Sequence, residues 1–118
     1  MEKLKIVVNA LDDVKLTDII VYDMKGKSPF FDYFIVSSGN TSRQLNAALG
    51  HIKKDLQEHG YDVDKVEGRN SDAWILIDAK DIIVNIFTKE SREYYNLEKM
   101  LAEATTIPLS ELLWFTSF

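Results

Sequence analysis

Two aspartates in alternation, Asp62 and Asp64, are the first candidates for chemistry in this chain of 118 residues. On an extended segment they share a face, and paired carboxylates can hold Mg²⁺ for phosphoryl transfer. Nucleotidyl transfer on this plan needs a Gly-Ser turn opening a helix beside the pair. Here the turn reads Ser38-Gly39, in reverse order, and the aspartates come only after the intervening helical stretch, beside Gly60. Solvated turn carboxylates are the simpler reading. Gly26-Lys27-Ser28 resembles the end of a phosphate-binding loop, but Val21 stands where that loop needs glycine, and Pro29 follows where it needs a helix. It reads as a turn. His51 and His59, the two histidines, lie about 12 Å apart along one helix, too far to share a metal ion. The chain has no cysteine, so thiolate nucleophiles, thiolate metal sites and disulfides are excluded. Ser38-Gly39-Asn40 lacks the flanks of a nucleophile elbow. No catalytic residues, metal ligands or cofactor are therefore assigned. Asp32 falls within an apolar run and needs a partner if buried. Arg43 is the candidate, as a structural ion pair.

The length suits one domain, and 46% apolar with 28% charged residues is ordinary globular usage. A net charge of −5 is a poor match for naked nucleic acid and a better one for a basic protein partner. No stretch approaches the roughly 20 apolar residues of a membrane span. The first residues show neither a secretory signal nor an Arg- and Ser-rich transit peptide. The expected location is the cytoplasm.

The elements that must position any site follow from periodicity. Leu4, Val7, Val8 and Leu11 form a helical stripe. Ile19-Ile20-Val21 marks a strand buried on both faces, and Phe30 to Ser38 a second. Thr41-Ser42-Arg43-Gln44 is a capping box. Leu45, Ala48, Leu49, Ile52 and Leu56 then line one helical face, and Gly60 caps its end. Val63–Val66 is a short strand. Trp74–Asp78 and Ile82–Phe87 form a hairpin around Ala79-Lys80. A last helix is expected from Lys89 to Glu103 with Tyr94, Leu97 and Leu101 inward. Pro108 ends it, and an apolar tail follows to Phe118. The order α-β-β-α-β-β-β-α predicts an α+β domain, a single mixed β-sheet with helices packed on one face. Residues 1–103 form its body and residues 104–118 its C-terminal tail. Leu112, Leu113, Trp114, Phe115 and Phe118 either dock on the domain or extend an interface.

Alternation in the hairpin separates two faces. Ile75, Ile77, Ile82, Val84 and Ile86 suit the helix-covered side, leaving Trp74, Leu76, Asn85 and Phe87 on a mixed second face. Two readings stay open. Either that face is an interface core, or the N-terminal helix or C-terminal tail covers it.

Several segments together resemble the Iojap family, the ribosomal silencing factors. They are Asp18–Asp23, Asp32–Gln44, Val66-Glu67-Gly68, Trp74–Asp78, Asp81–Phe87 and Arg92–Lys99. Order and spacing agree along residues 1–103. The resemblance implies a nucleotidyltransferase-like core without its catalysis, and hence no enzyme. It implies binding to the large ribosomal subunit through the basic universal large-subunit protein fourteen. Such binding sterically blocks subunit joining and represses translation when nutrients are short. It places Trp74 at the contact, with Leu76, Asp78, Lys80, Asn85 and Phe87 as neighbours. Asn85 departs from the histidine common in the family, Ala79-Lys80 from a glycine turn, and Met100 from its usual last-helix pattern. The rival expectations are a Mg²⁺-dependent nucleotidyltransferase-like enzyme using Asp62 and Asp64, and a self-associating scaffold that is a homodimer when free.

Overall fold

A computed structural model describes residues 2–114. Helix α1 (Glu2–Asp13) leads into strands β1 (Thr17–Asp23) and β2 (Tyr33–Gly39), followed by the long helix α2 (Ser42–Glu58). Edge strand β3 (Lys65–Glu67) precedes the hairpin β4 (Trp74–Asp78) and β5 (Ile82–Thr88). Two short helices, α3 (Lys89–Tyr95) and α4 (Leu97–Met100), return the chain to a last strand, β6 (Thr105–Ile107), and a 3₁₀ turn at Leu109–Glu111. The strands form one mixed sheet in the order β3-β4-β5-β2-β1-β6. Its central pair, β2 and β5, is parallel, and the other pairs are antiparallel.

Helices α1 and α2 bury one face. Leu45, Ala48, Leu49, Ile52 and Leu56 of α2 meet Ile75, Ile77, Ile82, Val84 and Ile86 of the hairpin in one core. The helix starts where the capping box places it: the Gln44 amide donates to Thr41 Oγ1 at 3.2 Å. The Gln44 side chain reaches back one residue further than the motif requires, accepting from the Asn40 amide at 2.7 Å. Its Nε2 also donates to the Val14 and Lys15 carbonyls after α1, so one glutamine fastens two helices. At the other end Gly60 takes φ +81. The Tyr61 amide then donates to Leu56 O at 2.9 Å and the Gly60 amide to Gln57 O at 3.1 Å, a complete Schellman cap.

The second face is covered in part by α3, α4 and the residues that follow them, Ala104 at the start of the tail included, while α1 packs on the first face. Tyr22, Val36 and Phe87 are buried there against Leu97, Leu101 and Ala104. The last helix expected from Lys89 to Glu103 is broken, because Asn96 adopts a left-handed φ of 45° and its amide closes α3 on Arg92 O. The break leaves Leu97 and Leu101 facing the sheet, but Tyr94 is 83% exposed, not inward. Burial and the neighbouring Glu98 carboxylate hold the Tyr22 phenol above its ordinary pKa, with Arg92 opposing.

The second strand begins at Tyr33 rather than Phe30. Pro29 and an 83% exposed Phe30 precede it, and the Asp32 and Tyr33 amides both donate to Asp81 O. Gly26-Lys27-Ser28 is a turn, closed by the Lys27 and Ser28 amides on Met24 O. The expected tail instead supplies β6, antiparallel to β1. Leu112 is buried in the main core, and the Trp114 amide donates to Asn9 Oδ1 at 3.0 Å. Phe115 and Phe118 lie outside the described residues.

The strip α3–α4 is pinned by Arg92, which is 9% exposed. It donates to Ser38 Oγ at 2.8 Å, to Asp18 O at 2.6 Å and to Glu98 Oε1 at 2.9 Å. Asp18, at φ 50°, lies in the register shift of β1 that turns its carbonyl toward the guanidinium. Replacing Arg92→Leu leaves three acceptors without their donor and should cost about 2–3 kcal/mol. Urea unfolding measures it, and a midpoint equal to the parent's would contradict the assignment.

Candidate functional site

At the β4 end of the second face four aromatic rings step outward from the core. Phe87 is fully buried and Trp74 stacks on it, with centroids 4.8 Å apart and planes at 27°. Tyr95 tilts against Trp74 at 5.0 Å, and Tyr94 meets Tyr95 edge-on at 5.1 Å. Tyr95 is 47% exposed. Trp74 is therefore half-buried: held from beneath and one side, open on another.

Its orientation is set by a hydrogen bond. The indole Nε1–H donates to Asn85 Oδ1 at 3.0 Å, directly across the hairpin diagonal. Asn85 is fully buried, and its Nδ2 donates to Ile35 O on β2 at 3.2 Å. That second bond decides which way the amide points. Its nitrogen must face the carbonyl, so its oxygen faces the indole.

The face continues along β4 and β3. Cross-strand pairing sets Glu67 opposite Leu76 and Lys65 opposite Asp78. Gly68 takes φ +83, and a Cβ built on it would fall 2.2 Å from the Trp74 carbonyl oxygen. The backbone thus approaches β4 more closely than any other residue type permits, which explains glycine after Glu67. Glu67, Gly68, Trp74 and Leu76 line a surface pocket of about 230 Å³. In the hairpin loop Lys80 adopts φ +72, taking the left-handed place that glycine usually fills, and its amide donates to Asp78 Oδ1 at 2.9 Å.

The residues expected at a contact thus divide. Trp74, Leu76 and Asp78 are partly open and Lys80 is exposed. Asn85 and Phe87 are sealed; both side chains lie beneath Trp74, so they position the contact rather than make it. Tyr95 and Glu67, which complete the surface, were not expected. A continuous last helix with Tyr94 inward gives no sign of Tyr95 at this surface, whereas the Val66-Glu67-Gly68 motif does mark the segment of Glu67.

The ion pair expected between Asp32 and Arg43 is absent from the ion pairs of the described residues. Asp32 precedes β2 and Arg43 follows it, so a strand of seven residues, roughly 23 Å of rise, separates them. The buried arginine pair is Arg92–Glu98. Asp62 and Asp64 are exposed. The Asp64 amide bonds Asp78 O, at one end of β4. Ser38 is aligned with Phe87, whose partner Trp74 is at the other end, and Ser38 Oγ accepts from Arg92. The aspartate pair and the Ser38-Gly39 turn do not come together. Asp13, His51 and Asp55 bring three potential ligand atoms within 4.8 Å on the helical layer, with His51 Nε2 at 3.3 and 3.4 Å from the two carboxylates. These spacings equally describe a histidine shared by two acids.

The fold and this face define an α+β domain of one mixed sheet, with an aromatic staircase left partly open beside the edge hairpin. A family model described as "Ribosomal silencing factor during starvation" matches residues 1–115. The ribosomal silencing factor RsfS of Bacillus subtilis is 41% identical over 109 residues, covering 92% of this chain and 90% of that protein. The RsfS of Halalkalibacterium halodurans is 38% identical over 112 residues, covering 95% and 96%. A crystal structure from Bacillus halodurans superposes with a TM-score of 0.81 at 39% identity, over 92% of this chain and 98% of that one. One from Chromobacterium violaceum gives 0.82 at 31% identity. The chain belongs to the ribosomal silencing factor family, which is also the Iojap family: the chloroplast Iojap protein of maize is 28% identical over 100 residues.

If Asn85 orients the indole, Asn85→Leu should cost about 1–3 kcal/mol, because a half-buried N–H loses its acceptor and Ile35 O its donor. In a Trp114→Phe background the remaining tryptophan emission should also move to longer wavelength. Unchanged stability and emission would contradict the clamp.

Proposed function

We propose that this chain is a translation repressor that binds the large ribosomal subunit and obstructs its joining to the small one. The observation that carries the reading is the half-open indole of Trp74, locked in place on a face flanked by Leu76 and by carboxylates, in a member of a family described by ribosome silencing during starvation. A rigid aromatic anchor, fixed before binding, loses little freedom on association and so suits a hot spot. A mammalian relative, 29% identical over 96 residues, is named for assembly of the mitochondrial ribosomal large subunit, which favours that subunit as the target.

The mechanism is steric and needs no bond to be made or broken. A domain roughly 35 Å across, seated on the surface where the subunits meet, excludes its competitor by volume. We assign the contact to Trp74, Leu76, Asp78 and Lys80, with universal large-subunit protein fourteen as the basic component they meet. A chain of net charge −5 is drawn to a basic protein patch and repelled by the surrounding RNA phosphates, which narrows the productive poses. None of the described helices is long and apolar enough to cross a membrane, and the proposed place of action is the cytoplasm.

The test is co-sedimentation of the pure chain with isolated large and small subunits, followed by a subunit reassociation assay. The chain should pellet with large subunits only and lower reassociation. Trp74→Ala, checked for fold by circular dichroism, should weaken binding by about 2 kcal/mol, roughly thirtyfold. A folded Trp74→Ala variant that binds like the parent would overturn the site, and a chain ignored by large subunits would overturn the function.

A further inference from the structure

The open side of Trp74 faces a pocket whose chemistry is more specific than an apolar patch. It is lined by Glu67, Gly68, Trp74 and Leu76. Strand pairing puts Glu67 and Leu76 side by side on this face, and Trp74 follows two residues along β4 from Leu76, on the same side. At Gly68 the lining is backbone, where no side chain fits. Among the described residues no ion pair or hydrogen bond engages the Glu67 carboxylate, whereas the neighbouring acids Asp78 and Asp81 are engaged by the Lys80 amide and by Lys3.

From these contacts we infer that the Glu67–Trp74–Leu76 pocket receives one lysine or arginine side chain of the protein partner. This rests on the proposed docking face and goes further by naming the group that enters it. An apolar stem of three or four methylenes matches Leu76 and the edge of the indole, as long cationic side chains cover apolar surface. The cationic head meets the ring face and the carboxylate together, and each attracts it by a separate electrostatic route. A neutral apolar side chain would satisfy Leu76 but strand Glu67. An acidic one would face like charge. The clamp on Asn85 serves this pocket, because an indole free to rotate would close it.

The experiment is the same large-subunit binding assay, run on four variants in parallel. Glu67 is exposed on an edge strand, so Glu67→Gln and Glu67→Lys should fold. The first should weaken binding about five- to tenfold by losing the charge, and the second more than tenfold by repelling the cation. Glu103→Lys, an equal charge reversal at an exposed position beyond α4, should change affinity less than twofold. Trp74→Ala serves as the reference for the face. If Glu67→Lys binds like the parent while Trp74→Ala does not, the pocket takes no cation and the docking face stands. If Glu103→Lys weakens binding as much as Glu67→Lys, the effect is one of overall charge and the inference is overturned. If neither Trp74→Ala nor Glu67→Lys matters, the face itself is wrong and the inference falls with it.

Discussion

The central parallel pair of strands must be buried on both sides, and the described residues form only two long helices with which to do it. Both lie on one face. Val36 of β2 and Phe87 of β5 point the other way and are nonetheless sealed, so something short has to cover them. The two brief helices after β5 do this, and because they are brief they meet β4 at Trp74 and leave Leu76 uncovered. Much of the surface chemistry follows from that shortfall. Phe87 is covered, Trp74 is covered on one side, and Leu76 is left at the edge.

A partial cover is stable only if it is fastened. Arg92 does so by donating its guanidinium hydrogens to three groups: a serine hydroxyl, a bulged backbone carbonyl and the Glu98 carboxylate. The fastening sits at the same end of the sheet as the aromatic staircase. The residues that hold the strip down therefore also decide where Tyr95 leans on Trp74. Beneath them the Asn85 amide, aimed by Ile35 O, fixes the indole. The indole, the Asn85 clamp and the pocket form one continuous arrangement, in which the exposed residues depend on buried polar groups.

Local pattern made much of this legible. The period-two alternation of Trp74–Asp78 and Ile82–Phe87 separated the faces correctly, and the capped stripe of α2 predicted its buried residues, because each depends on near neighbours in the chain. What stayed hidden depended on distant pairing or on one backbone angle. The left-handed turn at Asn96 splits a segment whose apolar spacing still looks helical. Strand β6 is three residues, too short to show alternation, and exists because β1 offers an edge. Asn85 and Phe87 have the composition of an interface, but Trp74 lies over both, and the segment after β5 completes the burial of Phe87. Asp32 and Arg43 were paired on charge alone, without the length of the strand between them.

The most direct test of the central claim, that the clamped indole is the surface a large subunit covers, is hydroxyl-radical footprinting read residue by residue. Trp74 should be oxidised in the free chain and protected severalfold when large subunits are bound, while Tyr61 on the helix-covered side keeps its rate. Equal oxidation of Trp74 in the free and bound chain, or an indole already inert in the free one, would contradict the account.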